Sequence, residues 1–208
     1  QSAVLAANAG VRQTRGYVAM LQGNPELATQ YFEEARLVAP DDTLIVEDLI
    51  RAQIATGQFS EAEYNLARLQ KSKGYEERRD IMHMRSRCLL NLDRPMDARQ
   101  LLIKLTEGDE GAKDATAWIE LGNVSYVLKD DRRVYEASAR SMAVAPERFE
   151  GYALPGLYHR RRGELERALE CFDKAVERRG TDTHPLLLQG LTLEDLGQPE
   201  QARECCEL

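Results

Sequence analysis

The sequence predicts an all-α fold on three observations. Ala, Leu, Glu and Arg, which favour helices, are abundant, while aromatic residues make up only 6% of the 208 residues. Trp118, Leu121, Gly122 and Tyr126 have the spacing of one helical face. A related pattern of small and apolar residues returns every 34 to 36 residues. A repeat of this length with helical periodicity is typical of stacked helix pairs.

Five of the six repeats carry a small residue four places ahead of an apolar one, and Val134 with Ser138 fills the same place in the fourth repeat. The first positions of these pairs, spaced 34, 36, 36, 34 and 34 residues apart, are Ala28, Ala62, Ala98, Val134, Ala168 and Ala202. Five residues earlier lie the predicted turn positions Gly23, Gly57, Asp93, Lys129, Gly163 and Gly197. Seven residues before these lie mostly small residues: Gly16, Ile50, Ser86, Gly122, Gly156 and Gly190. We therefore expect the small residue of each first helix to meet the Ala of the second helix where the two cross.

The pattern predicts six helix pairs. Their expected ranges are 3–22 and 25–38, 43–56 and 59–72, 78–92 and 95–106, 114–128 and 131–144, 148–162 and 165–178, and 183–196 and 199–208. The two 36-residue spacings place two extra residues in each of the segments 70–80 and 106–116. The second segment is rich in Gly and acidic residues, which predicts an exposed loop. The carboxylates at 41–42 and 130–131 are expected to cap helix starts.

Three motifs suggest a family. Residues 118–122 read W-x2-L-G, the pairs Ala28-x3-Phe32 and Ala168-x3-Phe172 read A-x3-F, and closing prolines stand at 40 and 146. The chain thus resembles the tetratricopeptide repeat family, although Ser125 stands at the motif's tyrosine position. The resemblance implies a right-handed superhelical solenoid of antiparallel helix pairs. We expect one domain over 1–208, a fragment of a longer protein, with units near 9–42, 43–76, 79–112, 115–148, 149–182 and 183–208.

The same resemblance implies a protein–protein interaction scaffold that binds a peptide or partner protein in a concave groove lined by the first helices. Mapping the family's groove positions onto this chain gives the candidate residues Arg51, His83, Arg87, Asn123, Tyr126, Leu157, Arg160 and Arg161. The mapping also includes Gln13, Tyr17, Glu47, Asp48, Leu154, Leu188 and Asp195. Arginine binds carboxylates and asparagine binds a peptide backbone, while Tyr126, Leu154 and Leu157 offer apolar surface. We therefore expect a peptide ligand that carries acidic and apolar residues. Alternatively, the arginines pair with acids of the groove itself, such as Glu47, Asp48 or Glu120.

Other function classes find little support in the sequence. P-loop, GxGxxG, HExxH and GxSxG motifs are absent, and His83 with Cys88 lacks a metal-ligand spacing, so no catalysis, metal or cofactor is expected. The net charge of −7 disfavours nucleic acid as a partner. The sequence contains no run of about 20 apolar residues, so no membrane contact is expected from this segment. The cysteines Cys88, Cys171, Cys205 and Cys206 form no CxxC pair, which favours reduced thiols and a cytoplasmic location.

Two rival functions stay open. The chain could be the non-catalytic recruiting arm of a larger enzyme, for example a transferase. It could also be a structural protein that self-associates through its terminal units, because leucines at 186–188 and 191 are expected to be exposed in a last unit without a polar capping helix.

Overall fold

The computed structural model describes residues 2–207, and the side chains of residues 8–205. Within that part of the chain there are thirteen α-helices and no β-strand. The helices are α1 Ser2–Leu21, α2 Pro25–Val38, α3 Thr43–Ala55, α4 Phe59–Leu69, α5 Arg79–Asn91, α6 Pro95–Leu105, α7 Gly108–Ala112, α8 Ala115–Val127, α9 Asp131–Val144, α10 Glu150–Arg161, α11 Leu165–Val176, α12 His184–Asp195 and α13 Pro199–Glu207. The all-α prediction is confirmed.

All of these helices except α7 correspond to predicted ones, and their ends differ from the predicted ends by at most three residues. The helix α7 is a correction, since it lies in the segment 106–116 that was expected to be an exposed loop. Its Gly111 is buried, and the atoms nearest to a Cβ there belong to Leu105 and Thr106, at the end of α6. Composition favours a loop here, but the chain turns back on the end of α6, and this turn brings the backbone of Gly111 close to Leu105 and Thr106.

The predicted turn positions are confirmed by their backbone conformation. All six have positive φ: Gly23 (72°), Gly57 (75°), Asp93 (55°), Lys129 (58°), Gly163 (75°) and Gly197 (73°). This left-handed conformation reverses the chain after each first helix, and glycine adopts it at the lowest cost. Helix starts are capped as predicted at Asp42, which accepts from the amides of Leu44 and Ile45, and at Asp130, which accepts from the amide of Arg133.

The helices form two compact units, one up to Arg94 and one from Pro95 onward. In the first unit, α1 to α5 pack in sequence, each helix against the next, around Phe32, Leu49 and Leu66. In the second unit, α6 packs on α8, and α8 to α13 pack in sequence around Leu121, Leu154 and Phe172. Within each unit, the helices therefore bury their apolar faces against their neighbours.

The contacts of the small first-helix residues agree with the expectation at the last crossing, where a Cβ on Gly190 would lie 3.5 Å from the carbonyl oxygen of Ala202, but other crossings differ. The atoms nearest to a Cβ on Gly16 or Gly156 belong to Phe32 or Phe172, the aromatic residues of the A-x3-F motif. In the fourth pair, Ser138 stands at the position that corresponds to Phe32. A Cβ on Gly122 would instead lie 2.6 Å from Cδ1 of Leu154 and 3.3 Å from Cβ of Ala137.

Ser138 has another role, which supports α10. Pro155 lies inside α10 and has no amide hydrogen, so the carbonyl of Gly151 loses its helical partner. The Ser138 hydroxyl donates a hydrogen bond of 2.6 Å to that carbonyl. A phenylalanine at position 138 could not make this bond. The helix therefore continues past Pro155 to the candidate residues Leu157, Arg160 and Arg161.

Candidate functional site

Two neighbouring carboxylates are buried on α3, in the first unit. Glu47 is 4% exposed and Asp48 is 5% exposed, and both lie at predicted groove positions. Carboxylates this deeply buried require hydrogen-bonding or charged partners, since burial without them costs several kcal/mol. The first unit supplies partners from three segments of the chain.

Glu47 is held by the segment 70–80. Tyr75 donates its hydroxyl to Oε1 of Glu47 at 2.6 Å, and Arg78 donates to Oε1 and Oε2 at 2.6 and 3.1 Å. The Arg78 guanidinium also lies 4.7 Å from the centre of the Tyr75 ring and pairs with Asp80. Burial alone would raise the pKa of Glu47, but the hydrogen bonds from Arg78 and Tyr75 outweigh it and hold that pKa below its ordinary value. Glu47 is therefore ionised at neutral pH.

Asp48 is held by α1. Gln13 donates to Oδ2 of Asp48 at 2.7 Å and the Tyr17 hydroxyl donates to the same oxygen at 2.5 Å. Burial and this hydrogen bond raise the pKa of Tyr17 to about 12. These bonds tie the first helix of one pair to the first helix of the next.

Arg51, the first candidate residue, contacts both carboxylates. Its Nη2 lies 3.3 Å from Oε2 of Glu47, and its Nη1 lies 3.4 Å from Oδ1 of Asp48. These are the pairings that the alternative interpretation predicted. Because its side chain is 51% exposed, it stays accessible while its charge is largely compensated.

His83 and Arg87 lie one turn apart on α5. His83 is partly buried and Arg87 is exposed. Within the described residues, the Arg87 guanidinium forms no ion pair and donates no hydrogen bond. Of the two first-unit arginine candidates, Arg87 is therefore the one with an uncompensated charge.

In the second unit, Asn123 and Leu157 line one pocket of 190 Å³ on the first helices α8, α10 and α12. Its apolar lining consists of Phe149, Ala153, Leu154, Leu157 and Leu188, and its polar lining of Asn123, Glu150, Asp182 and His184. Asn123 is exposed, and its amide makes no hydrogen bond to any residue whose side chain is described. The apolar part of this pocket thus lies beside the Asn123 side-chain amide, whose N–H groups and oxygen are available to a ligand.

The remaining candidates of the second unit contact each other or nearby acids. The Arg161 guanidinium lies 4.4 Å from the centre of the Tyr126 ring and donates to the Tyr126 carbonyl at 2.6 Å and to Asp131 at 2.5 Å. Arg160 pairs with Asp195, with Nη2 and Oδ2 2.7 Å apart. Both guanidinium charges are therefore compensated within the unit.

The sequence does not predict several residues that contribute to these surfaces. The repeat spacing predicts only a lengthened connection in the segment 70–80, but its Tyr75 and Arg78 hold Glu47. Phe149, Asp182 and His184, which come from the ends and connections of helices, were also missed as pocket residues. The only available signal was the two-residue excess in the segment 70–80, since no local pattern reveals which distant carboxylate a loop will reach.

Neither a candidate metal-binding cluster nor a membrane-spanning helix occurs among the described residues. No cluster of three or more His, Cys, Asp or Glu side chains there could hold a metal ion. No helix in residues 2–207 has the length and apolar character needed to cross a membrane.

Comparison with known proteins agrees with the geometry. Residues 19–79 match the family model described as tetratricopeptide repeat. The chain has the tetratricopeptide repeat fold. A search of curated proteins gives no match.

Three solved structures illustrate the likeness of fold. A tetratricopeptide repeat protein from Parabacteroides merdae is 14% identical, with a TM-score of 0.77 over 97% of this chain and 78% of that one. PilW, a type IV pilus biogenesis factor, is 18% identical, with a TM-score of 0.76 over 95% and 90% of the two chains. YrrB, described as having an unusual peptide-binding site, is 16% identical, with a TM-score of 0.63 over 84% and 88%. At these identities the likeness concerns the fold alone.

Proposed function

We propose that this protein is an interaction scaffold whose second unit binds a short peptide segment of a partner protein on the first-helix face. The observation that carries the proposal is the free Asn123 amide beside the apolar pocket. The tetratricopeptide repeat fold supports it, because repeat arrays present extended binding surfaces. The peptide-binding description of YrrB lends further support.

The size of the pocket suits one anchor side chain. Its volume of 190 Å³ is below the range of about 300–1,000 Å³ that small-molecule sites occupy. Leu154 and Leu188 are almost fully buried, whereas Leu157 is partly exposed and could close over an incoming side chain. An apolar residue of the ligand would gain burial there.

Asn123 would fix the ligand backbone. A primary amide offers donors and an acceptor together, which matches the N–H and C=O of an extended peptide. The nearby arginines are occupied by Asp131 and Asp195, so this surface has little preference for acidic ligands. Recognition of an acidic ligand, the other predicted property, would instead depend on Arg87 in the first unit.

A pull-down from the source lysate tests the site. The wild-type chain is compared with Asn123→Ala plus Leu157→Glu and with the control Met96→Glu, whose residue is 51% exposed on α6. The expected result is a partner that the wild type and the control retain and the double variant loses. A peptide from that partner should then bind the double variant at least tenfold more weakly by calorimetry.

Equal retention by all three chains would place binding elsewhere and contradict the proposal. Circular dichroism must show unchanged helix content in each variant. A parallel Arg87→Glu variant tests the acidic preference, since loss of partner in that variant alone would assign binding to the first unit instead.

Self-association is a second candidate, favoured by a pocket of 380 Å³ at the last pair, lined by Leu186, Leu187, Leu191 and Cys205 among others. The expectation of exposed leucines at 186–188 is wrong for Leu186 and Leu188, which are 4% and 6% exposed, while Leu187 is 55% exposed. Sedimentation over a concentration range should show association that Leu187→Glu abolishes. A monomer at every concentration would remove this candidate.

We also propose a non-catalytic role in the cytoplasm, with the chain acting alone or as the recruiting arm of a larger enzyme. Cys88, Cys171 and Cys205 carry reduced thiols, and burial raises the pKa of Cys88 to about 11, so the Cys88 thiol is unreactive at neutral pH. The side chain of Cys206 lies outside the described part of the chain. Alkylation of thiols in intact cells followed by mass spectrometry should find these three cysteines reduced; a disulfide would contradict the proposed compartment.

A further inference from the structure

A second pocket, in the first unit, has a different chemical character. It has a volume of 440 Å³ and lies where α2 and α4 end and α3 begins. Its lining includes three cations, Arg36, Arg68 and Lys73, with Asn65, Thr43 and Ser72 as neutral polar groups. We call these residues, with Asp41, the basic pocket.

The three cations are uncompensated. Within the described residues, none of them forms an ion pair, whereas Arg12, Arg51, Arg78 and Arg85 of the same unit each pair with a carboxylate. Asp41 is the only acid in the lining, so three positive charges and one negative charge leave a formal charge of +2. The chain as a whole carries −7, so the positive charge here is a local feature.

Buried groups hold part of this pocket in place. Asn65 is 5% exposed, and its amide donates to Gln53 at 3.0 Å while its oxygen lies 3.5 Å from Nη1 of Arg36. The Arg68 guanidinium lies 5.7 Å from the centre of the Tyr64 ring. Both arginines therefore have neutral contacts that position them and leave their charge available.

Helix dipoles explain only part of the cluster. Arg36 and Arg68 lie in the last turns of α2 and α4, where cations are favoured. Lys73 lies beyond α4, in the lengthened segment 70–80, so the dipole does not account for it. Glu33 and Glu61 line a neighbouring pocket with Arg36 but form no ion pair with it.

We propose that the basic pocket binds a phosphate monoester on a partner protein, such as a phosphoserine or phosphothreonine side chain. A phosphate monoester carries a charge of about −1.5 to −2 at pH 7, which matches the formal +2, whereas a carboxylate supplies only one negative charge. Guanidinium groups bind phosphate oxygens through paired hydrogen bonds. A nucleic acid or anionic membrane is disfavoured because the rest of the acidic chain repels an extended polyanion. This site is independent of the proposed peptide pocket.

Titration of the ¹⁵N-labelled chain with a capped Gly-Gly-phosphoserine-Gly-Gly peptide tests the proposal. Saturable shifts are expected for the amides of Thr43, Ser72 and Lys73 and for the side-chain amide of Asn65. Arg68→Gln plus Lys73→Gln should weaken binding at least tenfold. The matched control Arg15→Gln plus Lys71→Gln removes the same charge from exposed positions outside the pocket and should change binding less than twofold.

Four outcomes would overturn the proposal. The first is the absence of saturable shifts at millimolar peptide, and the second is equal weakening in the two double variants, which would indicate unspecific charge attraction. The third is equal affinity for inorganic phosphate and the phosphopeptide, which would indicate a free-anion site. The fourth is binding to vesicles containing phosphatidic acid without binding to the phosphopeptide. Peptides with serine or glutamate in place of phosphoserine should bind at least tenfold more weakly.

Discussion

The first-helix faces of the two units use the same repeat positions in different ways. In the first unit, α3 buries Glu47 and Asp48. Side chains from α1 and from the segment 70–80 donate hydrogen bonds to these two carboxylates. In the second unit, α8, α10 and α12 leave an apolar pocket with a free asparagine. Buried charge requires partners, so it fills a surface with the protein's own contacts, whereas an apolar lining leaves room for a ligand.

The largest expected effect on the free energy of unfolding comes from removing a partner of the buried carboxylates in the first unit. Arg78→Met removes the main partner of the buried Glu47 and should lower the free energy of unfolding by about 3 kcal/mol, measured by urea denaturation at pH 7. Arg51→Met removes a half-exposed partner of the same carboxylate and should cost less than about 1 kcal/mol. Equal costs for the two variants would show that Arg78 has no special part in holding Glu47.

The pH dependence sharpens this prediction. Arg78 holds the pKa values of Glu47 and Asp80 below their ordinary values, so the folded state gains stability above the ordinary carboxyl pKa. That gain is lost as the pH falls through the lowered pKa values, because both carboxyls then become protonated. The difference between wild type and Arg78→Met should therefore be constant near neutral pH and shrink in acid. A difference that grows in acid would contradict the proposed cause.

A somewhat smaller effect concerns packing beneath the apolar face. Gly122→Leu would force a side chain against Leu154 and Ala137 and should cost about 1–3 kcal/mol of unfolding free energy. The same change at Gly10, where an added Cβ has no neighbour within 4 Å, should be neutral or slightly stabilising. Thermal and urea unfolding would measure both. An unchanged melting temperature for Gly122→Leu would show that this crossing tolerates a side chain.

The smallest expected effect concerns the turns, which both units share. Lys129 has a φ of 58°, so Lys129→Gly should raise the unfolding free energy by about 0.5–1 kcal/mol by relieving backbone strain. Gly163→Lys, the reverse change at the equivalent turn, should lower it by a similar amount. If both changes lower stability, the lysine side chain contributes more than the backbone conformation costs.

All of the described helices except α7 could be predicted to within three residues because their signals are local. Helical spacing, caps such as Asp42 and the turn positions depend on residues within one or two turns of each other. The candidate site was only partly accessible to the same reasoning. Asn123 and Leu157 do share a pocket, but Arg160 and Arg161 pair with Asp195 and Asp131, which lie 35 and 30 residues away.

By itself, then, the sequence determined the repeat, the order of its helices and the six left-handed turns, since backbone hydrogen bonding and glycine or capping chemistry act over a few residues. Only the tertiary structure decided that Tyr75 and Arg78 satisfy Glu47, and that Ser138 replaces the hydrogen bond lost at Pro155. It also decided which side chains surround each pocket. These contacts join residues on different helices or connections, so they depend on how the helices pack rather than on any local pattern.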